Sequence, residues 1–121
     1  NRIEIFSDRC RLHFPISSLI WAEGERRGCL LHGFQVSLLS RESLTALSQR
    51  LPPELFFRCH RSFLVNLCHI RSVDAAGIHM ADGAAIPLSR AHLRIAQSTY
   101  NQFRQWRDGG ILTSPQKEGA L

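Results

Sequence analysis

Lysine is nearly missing from this 121-residue chain: Lys117 is the only one, and the other fourteen basic residues are arginine. Long apolar runs are missing as well. No stretch approaches the roughly 18 uncharged apolar residues that a membrane-spanning helix needs. Cys10, Cys29, Cys59 and Cys68 form no C-x-x-C pair, and the nine-residue offset between Cys59-His60 and Cys68-His69 fits no zinc module. Neighbouring residues of a strand point to opposite faces, so neither Cys-His pair turns both members toward one ion. The four cysteines are therefore expected to be reduced and buried, as in a cytoplasmic protein, with no metal and no other cofactor. The G-x-S-x-G elbow, H-E-x-x-H, the P-loop and paired carboxylates are all absent, so an enzyme is not expected. Aromatic residues are only 8% of the chain, and Trp21, Tyr100, Phe103 and Trp106 are scattered. They make no base-stacking platform, which argues against single-stranded nucleic acid.

What the chain does have is positive charge. Fifteen basic residues face ten acidic ones, for a net charge of +5 and a pI of about 9.7. A GC-rich genome accounts for arginine over lysine, but not for the excess of positive charge. Arginine presents a rigid fork suited to phosphates and guanine edges, and a basic balance favours a polyanionic partner. Hydrophobic residues at 44% and charged residues at 21% are ordinary for a globular domain. The length suits a single domain able to bury a core without staples. Asn1-Arg2-Ile3-Glu4 reads as a strand rather than a signal peptide. With no opening Met, the chain is expected to be a piece of a longer protein.

The first half alternates in short strands: Arg2–Phe6, Cys10–Phe14, Ser18–Glu23, Cys29–Gly33 and Gln35–Leu39. Ser7-Asp8-Arg9 is a hairpin turn, and Gly24-Glu25-Arg26-Arg27-Gly28 is a charged loop bracketed by glycines. Ser40 then predicts an N-cap, with Glu42 in the first turn and Leu44, Leu47 and Leu51 at helical spacing, for a helix over about 41–50 that Pro52-Pro53 ends. The second half returns to strands over Phe56–Arg58, Phe63–Asn66, His69–Asp74, Ile78–Ala81 and Ala84–Leu88, with Asp82-Gly83 as a two-residue hairpin turn. Pro87 suggests a sheet edge. Ser89 caps a second helix over about 90–107, with Leu93, Ala96, Tyr100 and Phe103 forming its apolar stripe. Residues 1–108 are expected to form the domain and 109–121 a flexible C-terminal tail.

The segment from Leu51 to Arg90 carries a specific resemblance. Leu51-Pro52, Phe56, Arg58, His60-Arg61-Ser62, Val65-Asn66, Ile70, Asp82-Gly83 and Ile86-Pro87-Leu88-Ser89-Arg90 fall in the order of a known pattern: a leucine-proline helix end, F-x-R-x-H-R-S-x-x-V-N, an isoleucine strand, an N/D-G hairpin and I-P-L-S-R. The chain resembles the LytTR DNA-binding domain of bacterial response regulators over about residues 2–107. Val73 stands for a second isoleucine. Ser18–Glu23 resembles the family's D-I-x-Y-I-E strand more loosely, with Ser17-Ser18 at the acidic position and Trp21 for the usual tyrosine or phenylalanine. The resemblance implies a mainly β fold, elongated, with antiparallel strands in three small sheets and a helix after the fifth strand. It also implies that loops between strands, and not a recognition helix, reach successive major grooves of promoter DNA. Direct repeats bound by two copies and an upstream receiver or sensor domain are further implications, and no membrane contact is expected of this part.

The resemblance assigns the DNA-binding residues one by one. Arg26 and Arg27 lie in the first DNA-contacting loop, where arginine forks onto guanine or phosphate; the alternative is a solvated loop balanced by Glu23 and Glu25. Arg61 falls on the surface near the minor groove, whose negative potential attracts arginine; the alternative is an ion pair with Glu54. Arg90 stands where a base-reading arginine occurs in the family at this or the next position; here the next residue is Ala91, which leaves His92 as the neighbouring substitute. Ser62, Ser89 and Arg94 are candidate phosphate contacts, although Ser89 also serves as a helix cap. His60, Arg58 and Asn66 read as structural, and Phe56, Val65, Ile70 and Ile86 as core. The competing function is a small β-rich protein-interaction domain with an incidental basic surface.

Overall fold

The computed structural model describes residues 1–7 and 9–109. Ten strands and two α-helices follow one another: β1 (Arg2–Ser7), β2 (Cys10–Pro15), β3 (Trp21–Glu25), β4 (Gly28–His32), β5 (Ser37–Ser40), α1 (Leu44–Arg50), β6 (Phe56–His60), β7 (Phe63–Asn66), β8 (Ile70–Asp74), β9 (Gly77–Met80), β10 (Ala85–Ile86) and α2 (Arg90–Gly109). They make three antiparallel sheets: the hairpin β1-β2, a five-stranded sheet ordered β5-β4-β3-β7-β6, and a three-stranded sheet ordered β10-β9-β8. This is the expected mainly β fold.

The five-stranded sheet carries one core on one face and a second on the other face of its β7-β6 end, and the period of two in its strands sorts residues between them. Ala22, Cys29, Leu31, Phe56 and Leu64 face β1-β2 and α1, packing with Ile3, Ile5, Phe14, Leu44 and Leu47. Cys59 and Val65 face the other way, joining Ile70, Ile78, Met80 and Ile86 from the small sheet and Ala96, Tyr100 and Phe103 from α2. Of the α2 stripe anticipated from its spacing, Ala96, Tyr100 and Phe103 are buried and Leu93 is half-buried; Tyr100 donates its hydroxyl to the Ile70 carbonyl at 3.1 Å. Asn66 is 2% exposed. Its amide donates to the Leu19 carbonyl at 2.8 Å and its oxygen accepts from the Cys68 N–H at 2.9 Å, which turns the chain out of β7.

Several boundaries differ from the sequence reading. Ser40 does not cap α1. It is buried as the last residue of β5, opposite Cys29, and Ser43 caps the helix instead, accepting the Ala46 N–H at 3.0 Å. The helix is therefore Leu44–Arg50 rather than 41–50, because sheet pairing holds the chain extended through Ser40. Ser18 lies in a 3₁₀ turn over Ile16–Ser18, so the third strand starts at Trp21 and continues through Gly24-Glu25. Asp82-Gly83 belongs to a three-residue connection, Ala81–Gly83, since Met80 and Ala84 already pair and Gly83 takes φ +92° as the bulge position. Cys29 and Cys59 are buried, whereas Cys10 and Cys68 are exposed. Cys10 opens the strand β2 of a two-stranded hairpin and Cys68 follows the turn made by Asn66, and both side chains are exposed. Gly109 belongs to α2; the rest of the expected tail, and Asp8 of the first hairpin, lie outside the described residues.

Candidate nucleic-acid interface

The register of the five-stranded sheet places two turns at one end. β3 runs up to Glu25, the chain reverses at Arg26-Arg27, and Gly28 pairs back with Glu25. The expected five-residue loop is thus a two-residue hairpin turn. Gly28 sustains it at φ +150°, a backbone region that suits glycine. β7 runs antiparallel to β3 with Glu23 opposite Phe63, so the Arg61-Ser62 turn that opens β7 lies beside Gly24. The Gly24 N–H donates to the Ser62 carbonyl at 2.9 Å and joins the two hairpins just below their tips.

The start of α2 arrives at the same end. His60, the last residue of β6, sets its ring 5.4 Å from that of His92 in the first turn of α2. Ser89 caps the helix, with its carbonyl accepting from Leu93 at 2.8 Å and its hydroxyl from the His92 N–H at 3.3 Å. Arg26, Arg27, Arg61, Ser89, Arg90 and Arg94 are all exposed and Ser62 is half-buried. The β3-β4 tip and the β6-β7 tip thus share one end of the molecule, which the α2 start joins through His92, with Arg90 and Arg94 lining a groove beside Val73, Asp74 and Ala75.

The charges there are uncommitted. Among the described residues none of Arg26, Arg27, Arg61, Arg90 and Arg94 has an acidic group within 4.0 Å. Of the nearby acids, Glu25 is exposed beside the turn at more than 4.0 Å from either arginine, and Glu23 and Asp74 have other partners. Glu23 holds His32 at 2.7 Å, beneath the Trp21 ring that stacks on His32 at 4.1 Å. Asp74 lines a shallow groove with Arg90 and Arg94, but pairs with His79 at 2.9 Å, whose hydrogen bond holds the Asp74 carboxyl below its usual range. The ion pair between Arg61 and Glu54 weighed from the sequence is not formed.

Arg58 and His60 build the Arg61-Ser62 turn from below. The Arg58 guanidinium donates to the carbonyls of His60 at 3.2 Å and Arg61 at 2.5 Å, and to the Thr45 hydroxyl of α1 at 3.3 Å. The Ser62 N–H donates to His60 Nδ1 at 3.0 Å. Both side chains hold the turn through these bonds, in keeping with the structural reading of Arg58 and His60. The sequence reading gave no sign that α1 braces this turn through Thr45, because nothing local links a helix residue to a hairpin thirteen positions on.

Residues 10–100 match the model of the LytTr DNA-binding domain family, and the chain belongs to that family. It is 33% identical over 72 residues to the transcriptional regulatory protein YpdB of Escherichia coli K12, covering 60% of this chain and 30% of YpdB. It is 32% identical over 68 residues to the sensory transduction protein LytT of Bacillus subtilis, covering 52% of this chain and 27% of LytT. The matched part thus spans under a third of these relatives. The fold is shared with a solved LytTr DNA-binding domain of a putative methyl-accepting/DNA response regulator from Bacillus cereus, at a TM-score of 0.69 and 21% identity over 81% of this chain and 94% of that one. No helix among the described residues is long and apolar enough to cross a membrane.

Proposed function

We propose that this chain is the output module of a bacterial transcription regulator and binds a specific sequence of double-stranded promoter DNA with its arginine-rich end. The observation that carries this reading is the convergence of two hairpin tips and a helix start, tied by the Gly24–Ser62 bond and the His60–His92 contact, with five exposed arginines outside any ion pair among the described residues. A mobile cation without an internal partner binds phosphate without first breaking a bond. Family membership supports DNA as the polyanion.

Within that surface, Arg90 and one of Arg26 and Arg27 read base edges in separate major grooves, while the other of the pair holds phosphate. Adjacent turn residues do not both fork onto one guanine, and the backbone is within an arginine's reach. Arg61 approaches the minor groove between them. Ser62, Ser89 and Arg94 contact phosphates. Two copies bind direct repeats, and a receiver or sensor domain precedes this part in the cytoplasmic full-length protein. Binding, not catalysis, is its role.

Selection from a random duplex pool tests the reading, followed by alanine variants assayed against single-base-pair changes. A base-reading arginine loses discrimination at one position. A phosphate-binding arginine weakens all sequences alike and lowers the salt slope by about one. Uniform weakening by Arg26→Ala, Arg27→Ala and Arg90→Ala would transfer specificity to DNA shape.

A further inference from the structure

Two histidines meet at the DNA-facing end, and their hydrogen bonds make them unequal. His60 Nδ1 accepts the Ser62 N–H at 3.0 Å, so its lone pair is committed to the turn that carries Arg61. A proton on that nitrogen would face the Ser62 N–H and remove the bond. His92 has no such commitment. Its Nδ1 lies 2.7 Å from the Ser89 hydroxyl, which both donates and accepts. With the ring neutral, the hydroxyl donates to Nδ1; with the ring charged, Nδ1–H donates to the hydroxyl oxygen. His92 therefore gains a proton without losing its partner, and the neutral His60 ring 5.4 Å away offers an aromatic neighbour to the resulting cation.

The surroundings make this proton depend on a polyanion. The β6-β7 turn contributes Arg61, α2 contributes Arg90 and Arg94, and β6 contributes Arg58, whose guanidinium is held by the turn carbonyls. On the β8-β9 side the charged groups are Arg71 and the mutually paired Asp74 and His79. Among the described residues no carboxylate lies within 4.0 Å of His60 or His92. A phosphate brought among these cations would lie against the exposed His92 ring and favour its charged form.

Resting on the DNA-binding reading, we propose that His92 is a further phosphate-contacting residue that takes up a proton when DNA binds, and that His60 is its positioning residue. Affinity then rises as pH falls, by at most about tenfold per pH unit for one linked proton.

The test measures affinity at pH 7.5 and pH 6.0, at fixed ionic strength, for a short duplex recovered by selection. The wild-type chain should bind about three- to tenfold more tightly at pH 6.0. His92→Gln should remove that response while leaving the thermal midpoint unchanged. His92→Lys should bind equally well at both pH values, and His79→Gln should keep the wild-type response. An equal wild-type affinity at the two pH values, or a full response in His92→Gln, overturns this inference and leaves DNA binding standing. Failure to bind any duplex at either pH overturns both.

Discussion

Gly24 donates its N–H to the carbonyl of Ser62 at 2.9 Å, and this bond fixes the spacing of the two arginine-bearing hairpin tips. The turn carrying Arg26-Arg27 and the turn carrying Arg61-Ser62 are thereby one rigid edge rather than two independent loops. A Cβ at Gly24 would lie no closer than 4.0 Å to Ser62, so the site takes alanine without a clash.

Gly28 is a different case. A Cβ there would fall 1.9 Å from the Ser40 carbonyl oxygen, at a φ that L residues avoid. Gly28→Ala should destabilise the domain by about 3 kcal/mol through clash and backbone strain. Chemical denaturation of the two alanine variants checks this: Gly28→Ala shifts the midpoint strongly and Gly24→Ala little.

Arg58 and Arg61 should separate structure from binding. Arg61→Ala is expected to weaken duplex binding by about 1–3 kcal/mol with an unchanged thermal midpoint. Arg58→Ala removes the donor to two turn carbonyls and the Thr45 hydroxyl, so it should lower the midpoint as well, at a cost of about 1–3 kcal/mol in stability. Paired thermal melts and binding isotherms on both variants provide the comparison.

Asn66→Ala leaves the buried Leu19 carbonyl and the Cys68 N–H without their partner. A loss of about 2–3 kcal/mol in unfolding free energy is expected, with binding changed only through the folded fraction. An unaltered denaturation curve would show that these groups find water instead.

The thiols should fall into two classes. Burial pushes Cys29 up to about 11 and Cys59 up to about 12; partial burial also raises Cys68, but its surface exposure, like that of Cys10, leaves it open to reagent. A thiolate reagent at pH 8 should modify Cys10 and Cys68 in the native chain, and Cys29 and Cys59 only after denaturation. The sign of the linked pH effect follows. The buried thiols stay protonated in the fold and ionise first in the unfolded chain, near 9. Their contribution is complete below that value and lost as pH rises through about 11 to 12, so stability should decline on the alkaline side.

Local patterns made most of this fold legible. Alternation placed Ile3 and Ile5, the 3–4 spacing placed Ala96, Tyr100 and Phe103, and Pro52-Pro53 marked the end of α1. Features set by long-range pairing were not legible. Ser40 and Ser43 are equally good caps by chemistry, and only the pairing of Ser40 with Cys29 in the sheet decides between them. The Arg26-Arg27 turn read as a longer loop because its length depends on Glu25 pairing with Gly28. Cys10 sits in a strand-like pattern and Cys68 beside Leu67, but both lie on uncovered positions, which composition does not reveal. The candidate site was named from the motif, yet its coherence depends on Gly24 reaching Ser62 and His60 reaching His92, contacts between residues about 30 to 40 positions apart.

The most direct test of the proposal that the arginine-rich end binds DNA is the salt dependence of binding to a selected duplex, measured for the wild-type chain and for a variant with Arg26, Arg27, Arg61, Arg90 and Arg94 all changed to alanine. Engagement of these side chains with phosphates and adjoining bases predicts that log K falls linearly with log salt, with a slope of about −3 to −4.5, and that the variant loses most of that slope while remaining folded. A folded variant that binds with the wild-type slope would contradict the account and move the DNA surface to another part of the molecule.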